Sequence, residues 1–261
     1  MTTERSPQRA DGWTAAVRQR LGLGRLLPLG SEADGAWIAE TAAASVLRGA
    51  ATGPGAVLGT LRIGPALAAT GTETTGAGAR AESPAGTPGP AAPPPPPSAL
   101  PAGPLRIEAE FSAAGDRPLP DTATALRAAL VAAASTRLGL EVAEVDLRVT
   151  ALLDDGAPDQ VTGPSGGSAS VPTAQAEGPA GTAAAGVPGV VALTRVLGSA
   201  VHTAADHVRI EVATAGDRRA LDVARSVRTA VSAALTDRLP VSVLVTEVVE
   251  GVGGREEDAT G

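Results

Sequence analysis

The sequence contains no cysteine, lysine or tyrosine, and it has only one phenylalanine and two tryptophans. Without cysteine the chain forms no disulfide and offers no thiolate site. Without lysine it cannot form the phosphate-binding loop of nucleotide hydrolases, which needs that cation. Because aromatic side chains are so scarce, a core must be built from alanine, valine, leucine and isoleucine.

Long hydrophobic runs are also missing. The first ten residues have no apolar stretch of the kind that a signal peptide needs, and no window reaches the ~18 uninterrupted apolar residues of a membrane-spanning helix. We therefore expect a cytoplasmic protein. Its net charge of −7 has the wrong sign for wrapping a nucleic acid, so no nucleic-acid partner is expected.

Two tracts, residues 64–103 and 156–186, consist mostly of glycine, alanine, proline, serine and threonine. The first contains five consecutive prolines at residues 93–97, which predict a polyproline II spacer; a proline-rich ligand for a groove is the alternative. Both tracts predict disordered linkers, as does the polar tail at residues 251–261. About 150 residues remain for folded structure, enough for two small units.

Two of the remaining segments resemble each other. Residues 126–138 align without a gap to residues 227–239, and six of the thirteen positions are identical. Upstream, the sequence Leu-Arg-Ile-Glu at residues 105–108 corresponds to Val-Arg-Ile-Glu at residues 208–211. Repetition of this kind indicates two degenerate copies of one structural unit.

Periodicity predicts the elements of each copy. Apolar residues alternate with charged ones over residues 105–111 and again over residues 144–150, the pattern of strands with one buried face. Residues 121–138 carry an apolar stripe at four-residue steps, the pattern of a helix. A leading helix is predicted over residues 36–50, where Ser31 and Asp34 offer N-cap oxygens.

These patterns predict an α+β fold of two tandem degenerate units. Each unit is helix–strand–strand–helix–strand with an antiparallel sheet, and disordered Pro/Gly-rich linkers join the units. The predicted organisation is a basic amphipathic N-terminal segment at residues 1–30, a first unit at 31–155 with its Pro-rich disordered insertion at 64–103, a flexible linker at 156–186, a second, shortened unit at 187–250 and a disordered tail at 251–261.

The N-terminal segment is a candidate docking element. Trp13, Val17 and Leu21 fall on one helical face, while Arg18 and Arg20 lie off it. Five arginines against two acidic residues give residues 1–30 a net charge of +3. Such a segment can dock onto an anionic membrane surface or a partner, or it can fold back onto the first unit.

Arginines recur at equivalent helix positions of the two copies, Arg127 with Arg228 and Arg137 with Arg238. Two explanations remain open: these side chains are solvated helix faces, or they form salt bridges between units or between subunits of an assembly. In the strands, Arg106 with Glu108 and Arg209 with Glu211 predict ladders of opposite charges on one face.

No catalytic, cofactor-binding or metal-binding residue is predicted. His202 and His207 stand five residues apart, and a metal site would need further converging ligands, so we interpret them as turn histidines. The acidic pair Asp154-Asp155 ends a strand and favours a turn. The sequence Gly163-Pro-Ser-Gly-Gly167 matches a nucleophile elbow, but it lies in a linker, where that pattern carries no meaning. We therefore expect no enzyme and no cofactor.

The chain resembles the alkaline-shock, or envelope stress response, family of bacterial proteins, in a duplicated and proline-rich actinobacterial form. The resemblance rests on residues 38–47, on the Pro-Gly strand at 54–58, on the strand at 105–111 and above all on residues 126–149. It covers most of residues 36–153 and, more faintly, 187–249. The proline tract also resembles the fibrous-body family of nucleopolyhedroviruses, a likeness that implies no function here.

The alkaline-shock resemblance implies a non-enzymatic envelope stress response or scaffold protein. Such a protein is cytoplasmic and collects peripherally at the inner face of the plasma membrane through a partner. The partners implied are membrane-anchored or homologous envelope-stress proteins, and further copies of the chain in a homo-oligomer. The alternative from another class is a small-molecule-binding regulatory module with a ligand cleft between the two units.

Overall fold

The fold is mixed α+β. A computed structural model of the chain describes residues 22–66, 93–96, 98–153, 171–237 and 239–250. The predictions for residues 1–21 and 251–261, for Arg238, for the acidic pair and for the nucleophile-elbow pattern lie outside these ranges, as do the greater parts of both tracts. We call residues 22–153 the N-terminal half and residues 171–250 the C-terminal half.

Ten strands and four helices make up the described structure. The strands are β1 Leu26–Leu29, β2 Ala36–Ala39, β3 Ala56–Pro65, β4 Leu105–Ala114, β5 Val142–Leu153, β6 Thr173–Ala174, β7 Val190–Thr194, β8 Val201–Thr203, β9 Val208–Ala215 and β10 Val241–Val249. The helices are α1 Glu40–Ala51, α2 Leu119–Ala133, which continues as a π-helical turn Ala134–Leu138, α3 Gly178–Ala185 and α4 Ala220–Ala234. Within these ranges, no helix is both long and apolar enough to cross a bilayer.

The N-terminal half contains a three-stranded sheet in the order β3-β4-β5. Strand β3 runs antiparallel to β4, and β5 runs parallel to it. The alternation predicted at residues 105–111 is confirmed, since Leu105, Ile107 and Phe111 are buried. The predicted helix at residues 121–138 is confirmed too, and Gly139 ends it in the left-handed conformation that favours glycine.

A second, seven-stranded sheet has the order β1-β2-β10-β9-β7-β6, and β8 also pairs with β9. Strand β10 lies near its centre and is parallel to both β2 and β9. Helices α1 and α4 both contact β10, whose residues from Val241 to Leu244 are all buried. The N-terminal strands thus complete a sheet whose other members belong to the C-terminal half.

The prediction of antiparallel sheets is wrong. In each half the last strand is parallel to its neighbour, β5 to β4 and β10 to β9. The reason is the helix between them: α2 and α4 carry the chain back across the sheet, so the next strand starts at the same end as the previous one. The antiparallel pairs are of several kinds: β8 and β9 are joined by a short turn, whereas residues 66–104 separate β3 from β4 and α3 separates β6 from β7.

The leading helix starts later than predicted. Residues 36–39 form β2 and helix α1 begins at Glu40. All four residues of β2 are buried, and the strand lies between β1 and β10, so pairing on both edges outweighs the helical spacing of the sequence. Ser31 and Asp34 cap a short 3-10 turn instead: the Ser31 amide and hydroxyl both donate to Asp34 Oδ2, at 2.8 and 2.9 Å.

Parts of the predicted N-terminal segment and of the two predicted linker tracts are built into the fold. Within the N-terminal segment, β1 is buried at every residue. Within the second tract lie β6 and helix α3, which packs its buried Ala180 and Ala184 towards α4 and β7. Within the first tract, Pro93 lies against Gly35, where a β-carbon would come 2.5 Å from the proline ring. The small residues of these tracts predict disorder, but in the fold they permit close packing.

Helix α1 joins the two sheets into one core. It contacts β10 and β2 of the larger sheet and β3 and α2 of the N-terminal half, and Ala43, Val46 and Leu47 are fully buried. At its first residue, the buried Glu40 carboxylate accepts hydrogen bonds from the amides of Arg25, at 3.1 Å, and Ile63, at 2.9 Å. One of these amides precedes β1 of the larger sheet and the other belongs to β3 of the three-stranded sheet, so the buried carboxylate binds backbone of both sheets.

Candidate interaction site

The predicted N-terminal docking residues have no described position. Trp13, Val17, Arg18, Arg20 and Leu21 all precede residue 22. Their role as a docking element stays a prediction.

The three repeated arginines that the structure describes make three different contacts. Arg137 donates to Glu250 Oε1 at 2.5 Å and to the carbonyl of Gly216 at 3.3 Å, and so joins the two halves. Arg228 of α4 donates to the carbonyl of Ala33. Arg127 donates to the carbonyl of Val145 in β5, at 3.3 Å.

The junction between the halves is closely packed where α2 ends. Gly139 has φ +93°, and a β-carbon there would lie 2.5 Å from Cβ of Leu221 in α4. Beside it, Arg219 Nε donates to the carbonyl of Ser135 at 3.0 Å, and the amide of Gly30 donates to the carbonyl of Gly139 at 3.3 Å. At this point no space for a ligand separates the halves.

A charged pair that the sequence pattern does not predict also joins α4 to the N-terminal half. Arg225 donates from Nε and Nη2 to the two oxygens of Asp34, at 2.8 and 3.1 Å. This hydrogen-bonded guanidinium lowers the pKa of Asp34 from 3.8 to about 2, against the opposing effect of partial burial, and the Ser31 donors add to the shift. A bidentate pair of this kind fixes orientation as well as charge.

Replacing Asp34 with asparagine is expected to reduce stability in an acid-dependent way. Because the folded-state pKa is below the unfolded value, the pair stabilises the fold above about pH 4 and its contribution is lost as pH falls towards about pH 2. After discounting for Arg225, whose side chain is 49% exposed, we expect a loss of about 1 kcal/mol at neutral pH. Chemical denaturation of wild type and variant across this pH range measures it.

Arg225→Gln is the matched variant, since it removes the pair and leaves the Ser31 contacts intact. It should show the same convergence with wild type in acid. A stability difference that stays constant from neutral pH to about pH 2 would contradict the assignment.

The outer face of the three-stranded sheet carries a ladder of exposed charges. Arg106 Nε lies 2.6 Å from Asp146 Oδ2, 3.4 Å from Glu108 Oε1 and 3.7 Å from Glu144 Oε2. The ladder predicted for Arg106 and Glu108 is therefore confirmed. Exposed pairs of this kind add little to stability, but they give the face a defined charge pattern that a partner can match.

The corresponding pair of the C-terminal half is buried. Glu211 is fully buried and Arg209 Nη2 lies 3.7 Å from its Oε1. The Glu211 carboxylate also accepts the amide of Leu197, at 3.0 Å. The predicted pairing is present, but here it is an internal contact that holds the loop between β7 and β8.

Strand β5 forms an open edge. Among the described residues it pairs with β4 alone, along a length of twelve residues. Val149 is 40% exposed and Leu152 is 60% exposed, although the sequence pattern predicts an inward-facing Val149. We call Val142–Leu153 with its free side the β5 edge. An exposed apolar edge of this length is a template for pairing with another strand.

The two histidines lie together, with Asp206 beside His207. Their ring centroids are 6.4 Å apart, and His207 Nδ1 lies 2.8 Å from Asp206 Oδ1. Over the ranges that the structure describes, no three histidine or acidic side chains are grouped to hold a metal ion.

Comparison with known proteins found no match to a protein-family model, to a curated protein or to a solved structure. Of the surfaces described, the β5 edge and the charged ladder beside it combine an unpaired backbone, exposed apolar side chains and patterned charge. They are the candidate interaction site of this chain.

Proposed function

We propose that this chain is a non-enzymatic scaffold protein of the bacterial envelope stress response, built from two degenerate copies of one α+β unit. It holds a protein partner through the β5 edge at the cytoplasmic face of the membrane. The observation that carries the proposal is the β5 edge, which is open over the described residues, whereas the equivalent edge of the C-terminal half is occupied by β2.

The same arrangement of three strands occurs in both sheets and supports the proposal that the chain contains two copies of one unit. In each, a middle strand has an antiparallel neighbour on one side and, across a helix, a parallel one on the other: β3-β4-β5 and β7-β9-β10. The parallel pairs begin alike, since the amide of Leu105 donates to the carbonyl of Glu141 at 2.8 Å and that of Val208 to the carbonyl of Pro240 at 2.9 Å.

The difference between the sheets supports the docking role. Strand β10 carries β2 on its far side, with Val243 opposite Ala36. Strand β5, its counterpart, carries no strand there among the described residues. A partner that added a strand to β5 would extend this sheet as β2 extends the other, with backbone hydrogen bonds supplying affinity and the charged ladder supplying register.

The membrane location rests on the alkaline-shock resemblance and on the net charge of +3 in residues 1–30. A basic segment is attracted to anionic lipid. The runner-up function, a ligand module with a cleft between two units, is disfavoured by the close contact of Gly139 with Leu221 at the junction of the halves.

Cell fractionation tests the proposal. The full chain is expected to sediment with membranes, with a larger share in envelope-stressed cells. A variant lacking residues 2–21 keeps the buried β1 intact, so its release from the membrane would identify the basic segment as the anchor. Its retention would identify the folded part of the chain as the membrane-associated element.

Arg18→Gln with Arg20→Gln is the matched control for the truncation, because it removes charge and leaves the apolar face. A full chain that is found wholly outside the membrane fraction, in resting and in stressed cells, would overturn the proposed location.

A further inference from the structure

We propose that the occupant of the β5 edge is a second copy of this chain. Two β5 strands pair antiparallel across a two-fold axis at Leu147 and join two three-stranded sheets into one continuous sheet. The inference rests on the proposed function in one respect, that the β5 edge is a docking site, and it names the partner. A two-fold axis is the simplest closed symmetry for such a contact, since each strand is both donor and acceptor.

The charges of β5 are self-complementary about Leu147. Antiparallel pairing centred there sets Asp146 of each copy opposite Arg148 of the other, so two pairs of opposite charge form on the outer face. Glu144 then faces Thr150, a neutral neighbour. Directly opposed unlike charges stabilise a pair of strands and like charges destabilise it, so this register is favoured.

Neighbouring registers are worse. Centring the axis on Asp146 opposes two copies of that carboxylate, and centring it on Arg148 opposes two guanidinium groups. An axis at Val145 would set Glu144 against Asp146 twice. Pairing centred between residues would set inner-face side chains opposite outer-face ones, which a pleated sheet forbids because faces alternate residue by residue.

The apolar side chains of β5 agree with the same axis. It sets Val145 opposite Val149 and Val142 opposite Leu152. Val142 pairs within the chain with Leu105 and Leu152 with Ala113, both of them buried, so these side chains share the inner face. Pairing would cover Val149 and Leu152, the two exposed apolar side chains of the edge.

The irregularities of β5 are also placed almost symmetrically. Its register with β4 shifts once between residues 142 and 144 and once between 149 and 151. The residues without a partner in β4 are Ala143 and Thr150, four residues before and three residues after Leu147. The regular part of the strand between these bulges, Glu144–Val149, is therefore the part that pairs about the axis.

Sedimentation velocity of the purified full chain tests the pairing. Wild type is expected to dimerise at micromolar concentration, and Arg148→Glu should raise the dimer dissociation constant roughly tenfold or more, because two attractive pairs become repulsive. Arg62→Glu, on the same outer face but on β3, is the matched control and should leave the dissociation constant unchanged. Asp146→Arg combined with Arg148→Asp reverses both charges and should restore dimerisation.

A disulfide test exploits the absence of cysteine from the chain. Leu147→Cys at the axis should form a covalent dimer under mild oxidation, because directly opposed residues of antiparallel strands come within disulfide range. Leu152→Cys, which lies away from the axis and opposite Val142, should not.

A monomeric wild type, an Arg148→Glu dimer as tight as wild type, or equal cross-linking of Leu147→Cys and Leu152→Cys would each overturn the pairing. These readouts use purified protein and are separate from cell fractionation. A monomer that still tracks with membranes would therefore overturn the self-pairing and leave the scaffold function standing.

Discussion

Gly139→Ala is expected to lower the free energy of unfolding by roughly 3 kcal/mol. Two effects combine at this residue. Its φ of +93° is a left-handed conformation that alanine adopts at a cost, and the added β-carbon would lie 2.5 Å from Cβ and 2.9 Å from Cδ2 of Leu221. Relief of that overlap requires the end of α2 and helix α4 to move apart. Chemical denaturation of the two proteins measures the loss.

Gly55→Ala separates the two effects. Gly55 also has a positive φ, +75°, but its β-carbon would meet nothing within 4 Å. Its replacement should cost about 1 kcal/mol, the conformational part alone. If both glycine variants lost the same free energy, the close contact between the halves would not exist in solution.

Arg209→Leu is expected to lower the free energy of unfolding by about 3–5 kcal/mol. Arg209 is 11% exposed, whereas Glu211 is fully buried. Removal of the guanidinium takes away a cation that lies 3.7 Å from the fully buried Glu211 carboxylate, and the loss of one member of a buried ion pair costs more than the pair itself contributes. Denaturation at neutral pH measures the difference from wild type.

Arg209→Leu combined with Glu211→Gln should recover most of this loss. Glutamine is neutral and still presents an oxygen to the amide of Leu197, which Glu211 accepts at 3.0 Å. A double variant no more stable than the single one would show that the guanidinium acts through packing and not through charge.

Local pattern was sufficient to predict the elements that bury one face. The alternation of residues 105–111 and the apolar stripe of residues 121–138 arise from one buried face, so they identified β4 and α2 correctly. Strand β2 was missed because Ile38, Ala42 and Val46 also fit a helical spacing. What makes residues 36–39 a strand is β10, at the other end of the chain.

The contacts between the halves and the candidate site were predictable only in part. The repeat drew attention to Arg137 and Arg228, and both contact the other half. Asp34 and Arg225 stand 191 residues apart, and no local signal connects them. The openness of β5 could not be predicted either, since its side-chain pattern is that of a paired strand, and whether an edge is free depends on the order of strands in the sheet.

The pairing of β2 with β10 has a consequence for biosynthesis. The first strands of the larger sheet leave the ribosome long before β10 is translated. The β1–β2 hairpin, whose two strands are wholly apolar, must therefore wait without the strand that covers its edge. Exposed nascent strands of this kind attract chaperones and aggregate when translation stalls. Because contacts between residues so far apart in sequence are slow to form, we expect the closure of this sheet to slow folding. A ribosome pausing within the proline tract would prolong the wait, and expression of either half by itself should yield an incomplete, aggregation-prone sheet.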